Sequence, residues 1–113
     1  MSQITCHILD TARGTPAAGV AVSLSRLAAG NNELIASGST NTDGRVSDLL
    51  DTDTILAAGT YQVHFATAGY FEALGEPIFY PWADVVFNIT GDGQHYHIPL
   101  LLAPFGYSTY RGS

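Results

Sequence analysis

Lysine is missing from this chain altogether, and its only permanent cations are Arg13, Arg26, Arg45 and Arg111. Against ten carboxylates they leave a net charge of −6, and a surface so poor in positive charge has no electrostatic footprint for nucleic acid or an anionic membrane. A small anion can still be met by one local arginine, so the place of each arginine matters. Cysteine occurs once, at Cys6; no intrachain disulfide can form, and nothing demands an oxidising compartment. No apolar run approaches the about 20 residues of a membrane helix. The opening Met1-Ser2-Gln3-Ile4 lacks the basic segment and apolar stretch of a secretory signal, so the expected compartment is the cytoplasm.

Charge is scarce as well, at 12% of residues against 46% apolar. That balance excludes intrinsic disorder, and 113 residues suit one domain, 1–113, with a sizeable core. So little charge on so small a domain points to a surface partly covered by other subunits.

What the chain has is period-two alternation bounded by turn residues, the pattern of many short antiparallel strands. A first strand near Gln3 to Leu9 sets Ile4, Cys6 and Ile8 on one face and Thr5, His7 and Leu9 on the other. After a turn at Arg13-Gly14-Thr15-Pro16, Val20, Val22 and Leu24 face inward in a second strand that ends at a Gly30-Asn31-Asn32 loop. A third strand covers about Leu34 to Thr40. Asn41-Thr42-Asp43-Gly44 is rich in residues that tolerate turn backbone, so Arg45 emerges from a tight loop. Tyr61, Val63 and Phe65 alternate with Gln62, His64 and Ala66, and Gly69 to Gly75 reads as a short helix. Strands at Val85 to Ile89 and Tyr96 to Ala103 are joined through Gly91-Asp92-Gly93, a hairpin signal, and Tyr107 to Arg111 is the last strand. Seven or eight strands with one short helix make an all-β sandwich.

In the strand after His95, the aliphatic run Ile98, Leu100 and Leu102 makes the better core face, which sends His97 outward beside Leu101. The same alternation sends His7 outward beside Leu9. Aliphatic residues interleaved with histidines on an outer face suggest burial by another subunit, and the histidines are then expected to line an interface cleft. Taken singly, each is explained as a solvated or hydrogen-bonded histidine, and His64 and His95 are left with that explanation. His95-x-His97 could share a metal ion, but a zinc site wants three or four ligands and no further set is evident, so no metal is expected. Cys6 points inward, where a thiol is usually inert.

The ending Pro104-Phe105-Gly106-Tyr107-Ser108-Thr109-Tyr110-Arg111-Gly112-Ser113 resembles the C-terminal signature of the 5-hydroxyisourate hydrolases of the transthyretin-related family. His95-Tyr96-His97-Ile98-Pro99-Leu100-Leu101 is similar to that family's penultimate-strand motif. Cys6-His7-Ile8-Leu9-Asp10 is similar to its opening strand, and Asn41-Thr42-Asp43-Gly44-Arg45 to its arginine loop, so the likeness spans essentially the whole chain. Cys6 stands where the family commonly has threonine, and Phe105 where tryptophan or tyrosine is usual; both concern packing more than chemistry. Transthyretin itself shares the fold but lacks the histidine pair and the Tyr-Arg-Gly-Ser ending.

The resemblance implies a transthyretin-like, two-sheet antiparallel β-sandwich with one short helix. It also implies a homotetramer, a dimer of dimers, with sites at the interface between dimers. The implied reaction is a cofactor-free opening of 5-hydroxyisourate to 2-oxo-4-hydroxy-4-carboxy-5-ureidoimidazoline in urate breakdown. The positions matching the family's catalytic set are His7, Arg45, His97 and Ser113, with Tyr110 and Arg111 in the same terminal motif as candidates for substrate binding. Hydrolysing a cyclic amide needs an activated water, a donor to the developing oxyanion and a proton for the leaving nitrogen. Either histidine can serve as base toward water, with His7 favoured. Arg45 suits the oxygen-bearing edge of the substrate, and Ser113 brings a hydroxyl and an α-carboxylate together. Two rivals stand beside this reading: a non-enzymatic carrier of aromatic ligands, and a sandwich module that only meets other proteins.

Overall fold

The structure, a computed structural model, describes residues 2–112. Alternation becomes two packed sheets. One has the order β4-β3-β6-β7, built from β3 (Ala21–Ala28), β4 (Asn31–Ser39), β6 (Gly59–Ala66) and β7 (Ala83–Ile89). The other centres on β1 (Ile4–Asp10), with the two-residue strands β2 (Thr15–Pro16) and β5 (Arg45–Val46) along one edge. Along its other edge lie β8 (Tyr96–Ala103) and then β9 (Gly106–Thr109). The inward residues expected of the alternation are buried: Ile4, Cys6 and Ile8 from β1, Val22 and Leu24 from β3, Tyr61, Val63 and Phe65 from β6, and Ile98, Leu100 and Leu102 from β8. The single helix among the described residues, α1 (Ala68–Leu74), ends at Gly75 in left-handed backbone and buries Phe71.

The strands number nine among the described residues where seven or eight were expected, the last ends at Thr109 and not Arg111, and three further details depart from the sequence reading. Asn31 and Asn32 belong to β4, so the turn out of β3 falls one step earlier, at Ala29-Gly30. Gly91-Asp92-Gly93 does not close a hairpin. β7 pairs with β6 while β8 pairs with β1 and β9, so this segment crosses from one sheet to the other. Gly91 and Gly93 both have positive φ, as a tight turn requires, but a local turn signal carries no information on which sheet the next strand enters. Finally, β1 and β8 run parallel, in register from Ile4 opposite Tyr96 to Asp10 opposite Leu102, within sheets that are otherwise antiparallel.

Side-chain hydrogen bonds pin the segments around β1. Gln3 accepts from the Leu56 N–H at 2.8 Å and donates to the Gln94 carbonyl at 3.0 Å. Asp10, buried at the far end, accepts from the N–H groups of Ala12 and Arg13 and from the Tyr70 hydroxyl of α1. The loop before β5 is equally constrained: the Asn41 side-chain oxygen accepts from the N–H groups of Asp43 and Arg45, and Ile8 donates to the Gly44 carbonyl at 2.7 Å. Gly44 has φ +73°, and a Cβ there would collide with the Ile8 carbonyl. Gly44→Ala should therefore destabilise the fold by at least about 1–3 kcal/mol, read as a lower denaturant midpoint; an unchanged midpoint would contradict the account of this loop.

Candidate active site

β1 carries Thr5 and His7 on its outer face, and its two neighbours bring the rest. Arg45 of β5 sits directly opposite His7, and His97 of β8 directly opposite Thr5. The imidazoles of His7 and His97 have ring centroids 6.4 Å apart. Beside them lies a cleft of about 230 Å³ lined by Thr5, Arg45, Val46, Ser47, His95 and His97. Among the described residues no carboxylate lies in ion-pair range of the Arg45 guanidinium, so its fork is not committed to a carboxylate and suits a group of negative or oxygen-rich character.

Thr5 is 6% exposed, and its hydroxyl lies 2.7 Å from His97 Nδ1 and 3.0 Å from His95 Nε2. His97 is held from the other side by the tail: Gly112 donates its N–H to the His97 carbonyl at 2.9 Å, and its Cα packs against the imidazole so closely that a Cβ would overlap the ring.

The histidines are tuned toward neutrality. Burial, the Arg45 guanidinium and the neighbouring His7 and His95 lower the pKa of His97. Burial and Arg45 lower that of His7, against a smaller upward pull from the Asp43 backbone and carboxylate. Both imidazoles should then titrate below the ordinary value of about 6.5 when followed by NMR. Protonation is harder in the folded than in the unfolded chain, so stability is fully present above about pH 6.5 and falls as the pH drops through the depressed values. Titration of both rings at or above 6.5 would overturn this account. Cys6 stays out of the chemistry, because burial pushes its thiol up to about 12.

His7, Arg45 and His97, singled out from the sequence, thus come together. Ser113 lies outside the described residues. Tyr110 and Arg111 stand apart from the cluster, in a second cleft of about 240 Å³ lined in part by Val85, Phe87 and Tyr96. There the Arg111 guanidinium stacks over Tyr96, 4.6 Å from the ring centroid, and donates to the Gln94 side chain at 2.9 Å. His64 is on the other sheet, bonded to Asp84 at 2.6 Å. His95 is hydrogen-bonded, as an ordinary histidine would be, yet its partner is the hydroxyl that also holds His97. Thr5 and that link were missed, although alternation already put Thr5 on the His7 face and His95 on the His97 face; what was lacking was the β1–β8 register. Among the described residues no three His, Cys, Asp or Glu side chains gather into a metal-binding group, and no helix is long and apolar enough to cross a membrane.

Together the fold and the cluster define a two-sheet β-sandwich that carries a histidine and arginine site on the outer face of its β1-centred sheet. The chain belongs to the HIUase/Transthyretin family, whose profile matches residues 4–112. It is 46% identical over 114 residues to the 5-hydroxyisourate hydrolase of Mus musculus, covering 99% of this chain and 96% of that one. The structure of Klebsiella pneumoniae 5-hydroxyisourate hydrolase superposes with a TM-score of 0.84 at 41% identity, covering 97% and 98% of the two chains. Sea bream transthyretin in complex with thyroxine superposes with a TM-score of 0.90 at 36% identity, covering 98% and 95%. Backbone likeness therefore does not separate hydrolase from carrier, and the side chains of the site have to.

Proposed function

We propose that this chain hydrolyses 5-hydroxyisourate to 2-oxo-4-hydroxy-4-carboxy-5-ureidoimidazoline, with His7, Arg45, His97 and Ser113 as its catalytic set. The observation that carries the proposal is that His7 stands opposite Arg45 and 6.4 Å from His97, beside the cleft that Arg45 and His97 line, in a chain 42–47% identical to proteins named for this activity. An imidazole held neutral near pH 7 can take a proton from water and, once charged, pass it to the leaving nitrogen, while a second neutral ring donates a hydrogen bond without giving up its proton. His7 is the base and His97 the donor in this reading. Arg45 meets the oxygen on which negative charge grows, where a fixed charge does most for the transition state. Each role has a side chain, so the reaction asks for no cofactor. Arg111 acts by holding the tail that runs on to Gly112, and Tyr110 reaches a substrate only where another subunit brings the second cleft to its own site.

The cleft of about 230 Å³ falls below the roughly 300–1,000 Å³ usual for small-molecule sites, and it opens on an outer sheet face that also bears Leu9 and Leu101. Completion by another copy follows naturally, so the working form is proposed to be a homotetramer of one-domain, cytoplasmic subunits with sites between dimers. The test generates 5-hydroxyisourate in place with urate oxidase and follows its ultraviolet decay. Added protein should speed that decay well beyond the spontaneous rate, and His97→Asn or removal of Gly112 and Ser113 should abolish the gain. No acceleration from folded protein would favour the carrier instead.

A further inference from the structure

One hydroxyl, that of Thr5, lies within hydrogen-bond distance of two imidazole nitrogens, His97 Nδ1 at 2.7 Å and His95 Nε2 at 3.0 Å. A hydroxyl has a single proton and two lone pairs; accepting from both rings would leave the buried Thr5 proton without a partner, so the hydroxyl donates to one ring and accepts from the other. The two contacts differ in length in an informative way. N–H to oxygen bonds centre near 2.9–3.0 Å and hydroxyl-to-oxygen bonds near 2.7–2.8 Å, so the shorter contact is the better match for the bond that the hydroxyl gives. The 3.0 Å contact suits His95 Nε2–H donating to Thr5, and the 2.7 Å contact suits Thr5 donating to His97 Nδ1.

We infer that Thr5 is a positioning residue of this site: relaying a hydrogen bond from His95, it occupies the Nδ1 lone pair of His97 and so fixes the proton of His97 on Nε2, the nitrogen left for the cleft. This deepens the proposed hydrolysis and rests on it for its catalytic meaning, since an Nε2–H tautomer makes His97 a hydrogen-bond donor and leaves the base to His7. The structural surroundings favour a lock of this kind. Thr5 is almost wholly buried, so no bulk water competes for its hydroxyl. His97 cannot swing away from it, because the backbone of Gly112 packs against the opposite side of the ring.

Charging His97 at Nδ1 would require the Thr5 hydroxyl to turn away and accept from both rings, leaving its own proton buried without a partner or aimed at His95 Nε2–H. Among the described residues, the groups facing His97 are Arg45 from β5, His7 from β1 and His95 from the approach to β8. Each is a cation when charged, so none would help hold a second positive charge. Arg111 reaches the His95 carbonyl at 3.5 Å and adds a further cation behind His95.

The experiment is nitrogen-15 NMR of histidine-labelled protein without substrate, for the native chain and for Thr5→Val and Thr5→Ser, with the pH profile of kcat/KM beside it. The native protein is expected to show His97 with its proton on Nε2 and an acceptor Nδ1, and His95 also as the Nε2–H tautomer. Thr5→Val, close in shape but without the hydroxyl, should free the Nδ1 lone pair and move the His97 titration upward. It should move the acid limb of kcat/KM upward with it and lower kcat by about 10- to 100-fold. Thr5→Ser should restore all three readings. A native His97 protonated on Nδ1, or a folded Thr5→Val protein with an unmoved His97 titration, would overturn the inference. Because the tautomers are read on resting protein, failure to hydrolyse 5-hydroxyisourate would sink the proposed activity without touching that result.

Discussion

Arg45→Ala should lower turnover of 5-hydroxyisourate by about 10² to 10³-fold while leaving fold and assembly as they are. The side chain is exposed on its two-residue strand and has no carboxylate partner among the described residues, so no packed contact of consequence goes with it. Its place is set by backbone. The Asn41 side chain takes the Arg45 N–H, and β5 pairs with β1 at His7 and Cys6. Arg45→Lys separates charge from shape: a point charge keeps the sign but not the planar fork, so it should recover only part of the loss. Steady-state rates checked against a thermal melt decide the matter, and an Arg45→Ala protein with near-native turnover would remove arginine from the mechanism.

Gly112→Ala is expected to cost about 10²-fold in kcat, the order expected when a reacting group is misplaced by about 1 Å. A methyl at this position would overlap the His97 ring and stand 3.0 Å from its Cγ and 3.1 Å from its Cβ. The ring can yield only by leaving Thr5, and the tail only by breaking the Gly112 N–H bond to the His97 carbonyl. Either response spoils the geometry, while the core, remote from the tail, keeps its melting temperature within a few degrees. A variant with full activity would show that the contact between tail and histidine is dispensable.

Much of this molecule could be read from residues near one another in the chain. β8 runs from Tyr96 to Ala103 as expected, because the run from Ile98 to Leu102 shows its buried face plainly. The outward placement of His7 and His97 follows from strand period alone. What escaped was pairing between distant segments. Nothing around Gly91 says that the next strand joins the other sheet, and nothing around Thr5 says that His97 lies opposite, because parallel register depends on the whole core. The joint roles of Thr5 and His95 belong to that register. The family motifs supplied Arg45, which a lone loop arginine would not have announced.

The parallel union of β1 with β8 joins two segments that a ribosome makes far apart in time, His97 lying 92 positions after Thr5. At about 5–20 residues per second, β1 waits roughly 5–20 s for its partner. For that interval Ile4 and Ile8 have no finished core to enter, and one edge of β1 lies open to other nascent chains. Chains released short of residue 96 would never cover that edge, so prematurely terminated products should be marked for chaperones or proteolysis by their own uncovered β1.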